Sequence, residues 1–344
     1  MTHWKHKLKI SLVDAYARLL YFTPLWRLRD SLGPRRLLLL FSHCVDDTYY
    51  DGLLAPDMCV SRAKFRSVVK VLQKRGYEFV TIADGMDKLA QGKPGKHMVN
   101  ISMDDGYRDN AETLLPILKE LGIPATVFLE TRVLDERRVN WTHHLHWLFD
   151  AIGQAEIVQR YVAIEGPDAP DSKVVLEASA IGSRGYYHVK RVLKYDVCPK
   201  NRDANLARLF AEAGGNEREL ADKLYMTWEQ AQELADAGVE LGAHTLTHAI
   251  LSTLSPEENL AEVNGSARAM EKRLGHSPEV FAYPFGRSWD YGEAAKIAVS
   301  AAGCRYAVNT HAGWNTAATA PLELRRIAIE ESVGVYRLVA GIAL

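Results

Sequence analysis

The sequence predicts an α/β chain folded as a (β/α) barrel, complete or distorted, of about seven to eight parallel strands. Three observations predict it. From residue 37 onward, eight short β-like runs alternate with helical stretches. Several of those helices carry start and stop signals at both ends. One interval, 131–225, breaks the rhythm and is rich in helix formers, so it reads as a helical insertion of lid or substrate-facing type. Strands alternating with helices imply a parallel sheet with right-handed crossovers. An open doubly wound sheet is the runner-up, because one sequence does not show closure.

The candidate strands are Leu37–Phe41, Glu78–Ile82, Met98–Ser102, Ala125–Leu129, Val239–Ala243, Glu279–Tyr283, Arg305–Asn309 and Arg325–Ile329. Ala63–Arg75 is apolar at Phe65, Val68, Val69 and Leu72 and stops at Gly76, a helix with one buried face. Thr227–Ala237 opens with a capping box (Thr227, Gln230) and ends at Gly238. Ser255, Pro256 and Glu258 start a longer helix that ends before Gly275.

At 344 residues, 47% apolar and 25% charged, the chain is neither disordered nor a coiled coil nor collagen-like. A net charge of −1 asks for no nucleic acid partner. The four cysteines (44, 59, 198, 304) form no CxxC pair, so no disulfide framework is expected and a reducing, cytoplasmic setting fits. No run approaches 18 apolar residues, and no small-residue cleavage site follows the basic start, so neither a spanning helix nor a secretory signal is expected.

Residues 1–36 form a separate segment ahead of the barrel, which occupies 37–344. Leu8, Leu12, Ala15, Leu19, Phe22 and Trp26 make one helical stripe, which Pro24 should kink or split. The segment carries eight Lys/Arg against Asp14 and Asp30. The stripe either docks on the protein's own core or lies on an anionic membrane, a peripheral contact at the inner face.

Three short segments share a placement that packing alone explains poorly. Asp104-Asp105-Gly106, His244-Thr245-Leu246-Thr247-His248 and Tyr283-Pro284-Phe285-Gly286 each follow a strand, at the end where βα loops build active sites. Two imidazoles at i and i+4 face one way if their loop makes a helical turn. With one carboxylate they make a His, His, Asp set suited to zinc hydrolysis, and also to non-haem iron oxygenases. The second Asp favours hydrolysis: Asp104 serves as general base while Asp105 ligates.

These residues resemble the polysaccharide deacetylases of the NodB-homology type, carbohydrate esterase family 4. The family's first motif, T-F-D-D-G, appears as Ser102-Met103-Asp104-Asp105-Gly106, and its second, H-[ST]-x-x-H, is intact at His244–His248. Its third, R-x-P-Y, appears as Ala282-Tyr283-Pro284-Phe285. The resemblance spans roughly 37–335 and is closest to a branch opening with L-x-Y-H-x-V, here Leu40-Phe41-Ser42-His43-Cys44-Val45. It implies the family's distorted (β/α) barrel, Asp104 as base, and Asp105, His244 and His248 as ligands of a divalent metal, Zn²⁺ ahead of Co²⁺, Ni²⁺ or Fe²⁺.

Two departures from the family follow. The third motif lacks its Arg (Ala282) and its Tyr hydroxyl (Phe285), though the backbone N–H of Phe285 can still serve an oxyanion. Arg326, or its neighbour Arg325, is the candidate replacement for the Arg. The family's late L-x-H is also absent, and His43 at the end of the first strand resembles the branch's proposed general acid. Tyr283 and Pro284 are candidate substrate contacts. Trp141, Trp147, Trp289 and Trp314 are candidate sugar-stacking residues, with Trp289 foremost, while His143, His144 and His146 read as parts of a helix.

The expected activity is removal of N-acetyl groups from an amino sugar in a glycan or lipid-linked saccharide. A deformylase or other amidohydrolase on the same scaffold is the second reading, and an inactive carbohydrate-binding barrel the third.

Overall fold

A computed structural model describes residues 3–27, 35–48, 50–55, 58–92, 97–180 and 185–340. Contacts divide the chain into two compact units. One comprises Met1–Asp47, Asp57–Thr131 and Met226–Leu344; the other comprises Thr48–Pro56 and Arg132–Tyr225.

Among the described residues the first unit holds ten strands: β1 Leu37–Ser42, β2 Cys44–Val45, β3 Cys59–Val60, β4 Glu78–Phe79, β5 Met98–Met103, β6 Thr126–Leu129, β7 Glu240–Ala243, β8 Val280–Ala282, β9 Tyr306–Val308 and β10 Ile327–Ala328. Their order is β10-β1-β5-β6-β7-β8-β9, with β4 on β5, and every pair is parallel. Beyond β9, a parallel bridge from Val308 to Leu324 brings the chain entering β10 alongside. The result is a distorted (β/α) barrel, and each of the eight expected strands is present.

Alternation along the strands explains what fills the barrel. Leu37, Leu39, Met98, Phe128, Val280, Ala282, Tyr306, Val308 and Leu324 form one buried cluster. Phe128 fits because β7 has a glycine beside it: a Cβ at Gly242 would meet the Phe128 ring at 2.5 Å. At the strand starts, the Glu240 carboxylate accepts the backbone N–H groups of Ile82 and Ala83 and the Thr126 hydroxyl. These two N–H groups open the helix Ile82–Ala90, whose first-turn donors would otherwise be orphaned.

The sequence did not reveal the short pair β2–β3, joined by a disulfide between Cys44 and Cys59. The expectation that the cysteines form no disulfide framework is therefore corrected to one bridge, Cys44–Cys59. Fold pairing (Cys44 beside Cys59, Val45 beside Val60) brings together cysteines that spacing alone does not connect. Of the other two, Cys198 is exposed and Cys304 is buried, with its thiol pushed up to about 12 by that burial. Alkylation of the native protein is expected to label Cys198 alone, Cys304 only after unfolding, and Cys44 and Cys59 only after reduction. Mass spectrometry reads the order, and fast native labelling of Cys44 would contradict the pairing.

The second unit is helical: Trp141–Glu165, Pro170–Ala180, Gly185–Tyr195, Pro199–Glu212 and Glu217–Leu224. Residues 48–56 belong with it, an association the sequence did not suggest. Trp141 is buried under the Arg202 guanidinium at 4.3 Å, and Trp147 packs edge-on to Phe210. His144 sits 2.6 Å from Glu217, His143 lies edge-on to Tyr225, and His146 bonds the Gly52 carbonyl. The three histidines are parts of one helix, as expected.

The N-terminal helix spans His3–Phe22 and ends just before Pro24. Leu8, in the expected stripe, has a side chain outside the described set. Among the described members, Leu12, Leu19 and Phe22 are exposed, so the stripe does not dock on the core. The opposite face does: Ala17 and Leu20 bury against Tyr336 and Ala340.

Candidate active site

Asp104, His244 and His43 sit next to the C-terminal ends of β5, β7 and β1, while Arg326 immediately precedes β10 and reaches the same space with its long side chain. They continue the alternation that points Ser102, Gly242, Leu324 and Phe41 inward. Asp105 breaks that alternation, since successive residues of a strand face opposite ways. The backbone resolves this by turning left-handed at Asp105 (φ 73°) and Gly106 (φ 78°), so both carboxylates reach one space. A Cβ on Gly106 would also crowd Leu129 at 3.0 Å.

Asp105, His244 and His248 converge with their ligand atoms within 4.8 Å of one another, all three buried. The Asp105 Oδ1 lies 3.2 Å from His244 Nε2 and 3.4 Å from His248 Nε2, and no hydrogen-bond donor satisfies it. The His244 Nδ1–H donates to the Ala282 carbonyl at 2.7 Å, which leaves the Nε2 lone pair facing the carboxylate. An anionic oxygen without a donor and an oriented imidazole lone pair are what a divalent ion requires, so these residues fit one.

The loop 244–248 is not the helical turn the spacing suggested. Thr245 (φ 65°) and His248 (φ 56°) are left-handed, and this brings the second imidazole back beside the first, with ring centroids 5.0 Å apart. Such strain persists only where surroundings hold it. Here Glu262, from the helix Pro256–Leu274, accepts the N–H groups of Leu246 and Thr247 and the Thr247 hydroxyl. Sequence reading missed Glu262, because nothing marks one glutamate of a helix as a loop anchor. Glu262→Ala is expected to weaken divalent-metal affinity about 10- to 100-fold with the fold intact, measured by equilibrium dialysis.

Arg326 is fully buried and forks onto Asp104, Nη1 to Oδ1 at 2.7 Å and Nη2 to Oδ2 at 2.8 Å. Its Nε donates to the Asn309 carbonyl, and the guanidinium stacks over Phe41 at 4.3 Å. Arg325 is exposed instead, with its backbone N–H on Asn315. Burial alone would raise the Asp104 carboxyl, but the Arg326 charge and hydrogen bonds overcome it and hold it below the ordinary value. At Asp105 burial is likewise outweighed, by the two imidazoles, and the carboxyl lies well below its ordinary value. Burial lowers His248, which favours the neutral imidazole.

His43 is near enough to act electrostatically on Asp104, Asp105 and His248. Its loop is pinned from two sides that sequence reading missed. Asn110 donates to the His43 carbonyl, and Asp109 accepts the Val45 N–H at 2.7 Å.

The third motif holds Phe285 in a left-handed conformation (φ 61°), its ring 4.8 Å from that of His248. At Gly286 (φ 66°) a Cβ would meet the Thr310 backbone nitrogen at 3.0 Å, which explains the glycine. Tyr283 is corrected as a substrate contact: its ring is buried flat against Tyr291 and its hydroxyl donates to the Leu322 carbonyl. Pro284 is buried as well. Trp289 is 58% exposed under the Arg287 guanidinium, whereas Trp314 stacks on Tyr77, ahead of the strand starts.

The sequence profile described as polysaccharide deacetylase matches residues 91–164 and 190–307, more than half of the chain. The chain belongs to the polysaccharide deacetylase family. YxkH of Bacillus subtilis, which carries a polysaccharide deacetylase name, is 21% identical over 281 residues, covering 81% of this chain and 66% of that protein. The poly-β-1,6-N-acetyl-D-glucosamine N-deacetylase of Staphylococcus aureus is 32% identical over 102 residues, 30% of this chain and 33% of that protein. The chain thus spans at most about two thirds of these relatives. Among solved structures, the Streptococcus pyogenes deacetylase PplD in complex with acetate superposes with a TM-score of 0.59 at 18% identity, covering 91% of this chain and all of that one. IcaB from Ammonifex degensii gives 0.57 at 16%, covering 90% and 97%. At such identities these two speak for the fold.

Proposed function

We propose that this deacetylase-family chain is a metal-dependent hydrolase that removes N-acetyl groups from an amino sugar in a glycan or lipid-linked saccharide. The observation that carries the reading is the pairing of two neighbouring carboxylates in different surroundings. Asp105 faces two imidazoles, while Asp104 is gripped by Arg326. The S. aureus relative, named for poly-β-1,6-N-acetyl-D-glucosamine, supports an N-acetylglucosamine polymer as the first substrate to try.

Asp105, His244 and His248 would hold the ion, which supplies a Lewis acid that acidifies water and polarises the acetyl carbonyl. Asp104 accepts the proton of the attacking water, and Arg326 keeps it ionised and aimed. Arg326 thereby takes the part of the Arg missing at Ala282, and it does so from just before the last strand. The Phe285 backbone N–H serves the developing oxyanion, a contribution of about 3–4 kcal/mol for one such donor. His43 gives the proton to the departing amine. Trp289 offers its face to a sugar ring at the rim.

The test is acetate release from N-acetylglucosamine oligomers by the purified protein loaded with Zn²⁺, Co²⁺, Ni²⁺ or Fe²⁺. Acetate lost on chelation and restored by metal is expected; formate in its place would favour the deformylase. Glycan binding without turnover, whatever the metal, would favour the binding barrel. Cellular placement is read from Cys44 and Cys59: a pair found as thiols in intact cells keeps the cytoplasmic reading, and a pair found oxidised ends it.

A further inference from the structure

Among its described residues, the N-terminal helix is bound to the barrel unit by one face. Ala17 and Leu20 pack on Ala340 and Tyr336, and Asp14 accepts hydrogen bonds from Arg18, Tyr336 and Arg337. Arg75 adds a bond to the Tyr21 carbonyl. The helix is therefore fixed in place, and its other face stays uncovered among the described residues. That face carries Leu12 (62% exposed), Tyr16 (49%), Leu19 (48%) and Phe22 (73%), with Leu25 (44%) just beyond. Positions 12, 16, 19 and 22 lie on one side of a helix. Five of the ten large hydrophobic residues exposed in the described chain are thus gathered within 14 residues.

The charge of the same segment singles out one partner. Residues 1–36 carry eight Lys/Arg and two Asp, while the rest of the chain is net negative. Lys5, Lys7 and Lys9 belong to the helix that presents the apolar row, and one of the two acids, Asp14, is spent on the docked face. We propose that this outward face is a docking surface for an anionic lipid bilayer, with the apolar row entering the headgroup boundary and the cations meeting lipid phosphates. An interfacial helix has this combination of exposed apolar row and basic flanks. A second copy of the chain fits worse, because self-association would set one strongly basic segment against another. Spanning is not at issue, since no described helix is long and apolar enough to cross a membrane.

Vesicle flotation of the full chain tests the proposal without using catalysis, so it stands or falls separately from the deacetylase reading. The protein is expected to float with vesicles containing phosphatidylglycerol and to bind pure phosphatidylcholine far less. The double substitution Leu19→Asp/Phe22→Asp should reduce partition by about tenfold or more, because it removes apolar surface and adds repelled charge. Lys5→Glu/Lys7→Glu/Lys9→Glu should do likewise, and raised salt should weaken what remains. Leu19 and Phe22 lie outside the docked contacts described above, and an unchanged thermal melt of each variant confirms an intact fold. No flotation of the wild type with phosphatidylglycerol, or equal flotation of the Leu19/Phe22 variant, overturns the proposal. So does a dimer, seen by sedimentation, that the same double substitution dissolves.

Discussion

Replacing Arg326 with leucine is expected to cost about 3–5 kcal/mol of stability, because it strands the buried Asp104 carboxylate without a partner. Turnover should fall about a hundredfold or more, the scale of a disabled general base. The sign of the pH effect distinguishes this from a general loosening. In the wild type the Asp104 carboxyl is held below its ordinary value, so its stabilising contribution is full above about pH 4 and lost as pH falls through the lowered value. Without Arg326, burial is opposed only by the weaker influence of His244 and His43 and is expected to raise the carboxyl. The linkage then reverses, and the variant loses stability as pH rises through that range. The acid limb of its pH–rate profile should move upward in parallel. Arg326→Lys keeps the charge but not the two-pronged grip, and should fall between. The double variant Arg326→Leu/Asp104→Asn should regain much of the lost stability and none of the activity, since it removes the stranded charge along with the base. Chemical denaturation at several pH values and initial rates of acetate release measure these outcomes. An acid limb that stays in place would remove Arg326 from its role beside Asp104.

The strands were legible because each is an apolar run bounded by turn residues or helix caps, and such runs survive as β1 and β5–β10 whatever the register. The cluster of Asp105, His244 and His248 was legible because strand ends of a parallel barrel share one face, which lets motifs more than a hundred residues apart be read together. What stayed hidden depends on tertiary contact. The Cys44–Cys59 pair sits on two-residue strands too short for any period. Glu262 and Asp109 act by accepting backbone N–H groups of loops, a role that any carboxylate at the right place fills. One aromatic candidate, Trp314, was misplaced for a related reason. Sequence cannot tell which end of a barrel a tryptophan occupies, and Trp314 packs with Tyr77 and His97, which stand before β4 and β5. The stripe of the N-terminal helix was legible as a stripe. Which face docks was decided by Ala17 and Leu20, the smaller apolar set, because Asp14 pairs with Tyr336 and Arg337 on that side.

Asp104→Asn and Asp105→Asn remove one charge each from adjacent residues, yet opposite effects on metal content are expected. Asp105 Oδ1 lies within 3.4 Å of both imidazoles and receives no hydrogen bond, so its charge is what a cation would meet. Asp105→Asn should therefore lose metal and activity together, and added metal should rescue little. Asp104 has both oxygens occupied by the Arg326 fork. Asp104→Asn should keep metal near the wild-type level while turnover falls by about 10²–10⁴, the range for a lost general base. The amide presents a donor to Arg326 where the carboxylate presented two acceptors, so some stability goes too, and the melt must be followed alongside. Metal content by mass spectrometry, set against acetate release in the same preparations, separates the two roles. Equal metal loss in both variants would merge them into one ligand set. Full turnover in Asp104→Asn would move the base elsewhere, and His43, at the end of β1 beside the same space, would be the next group to test.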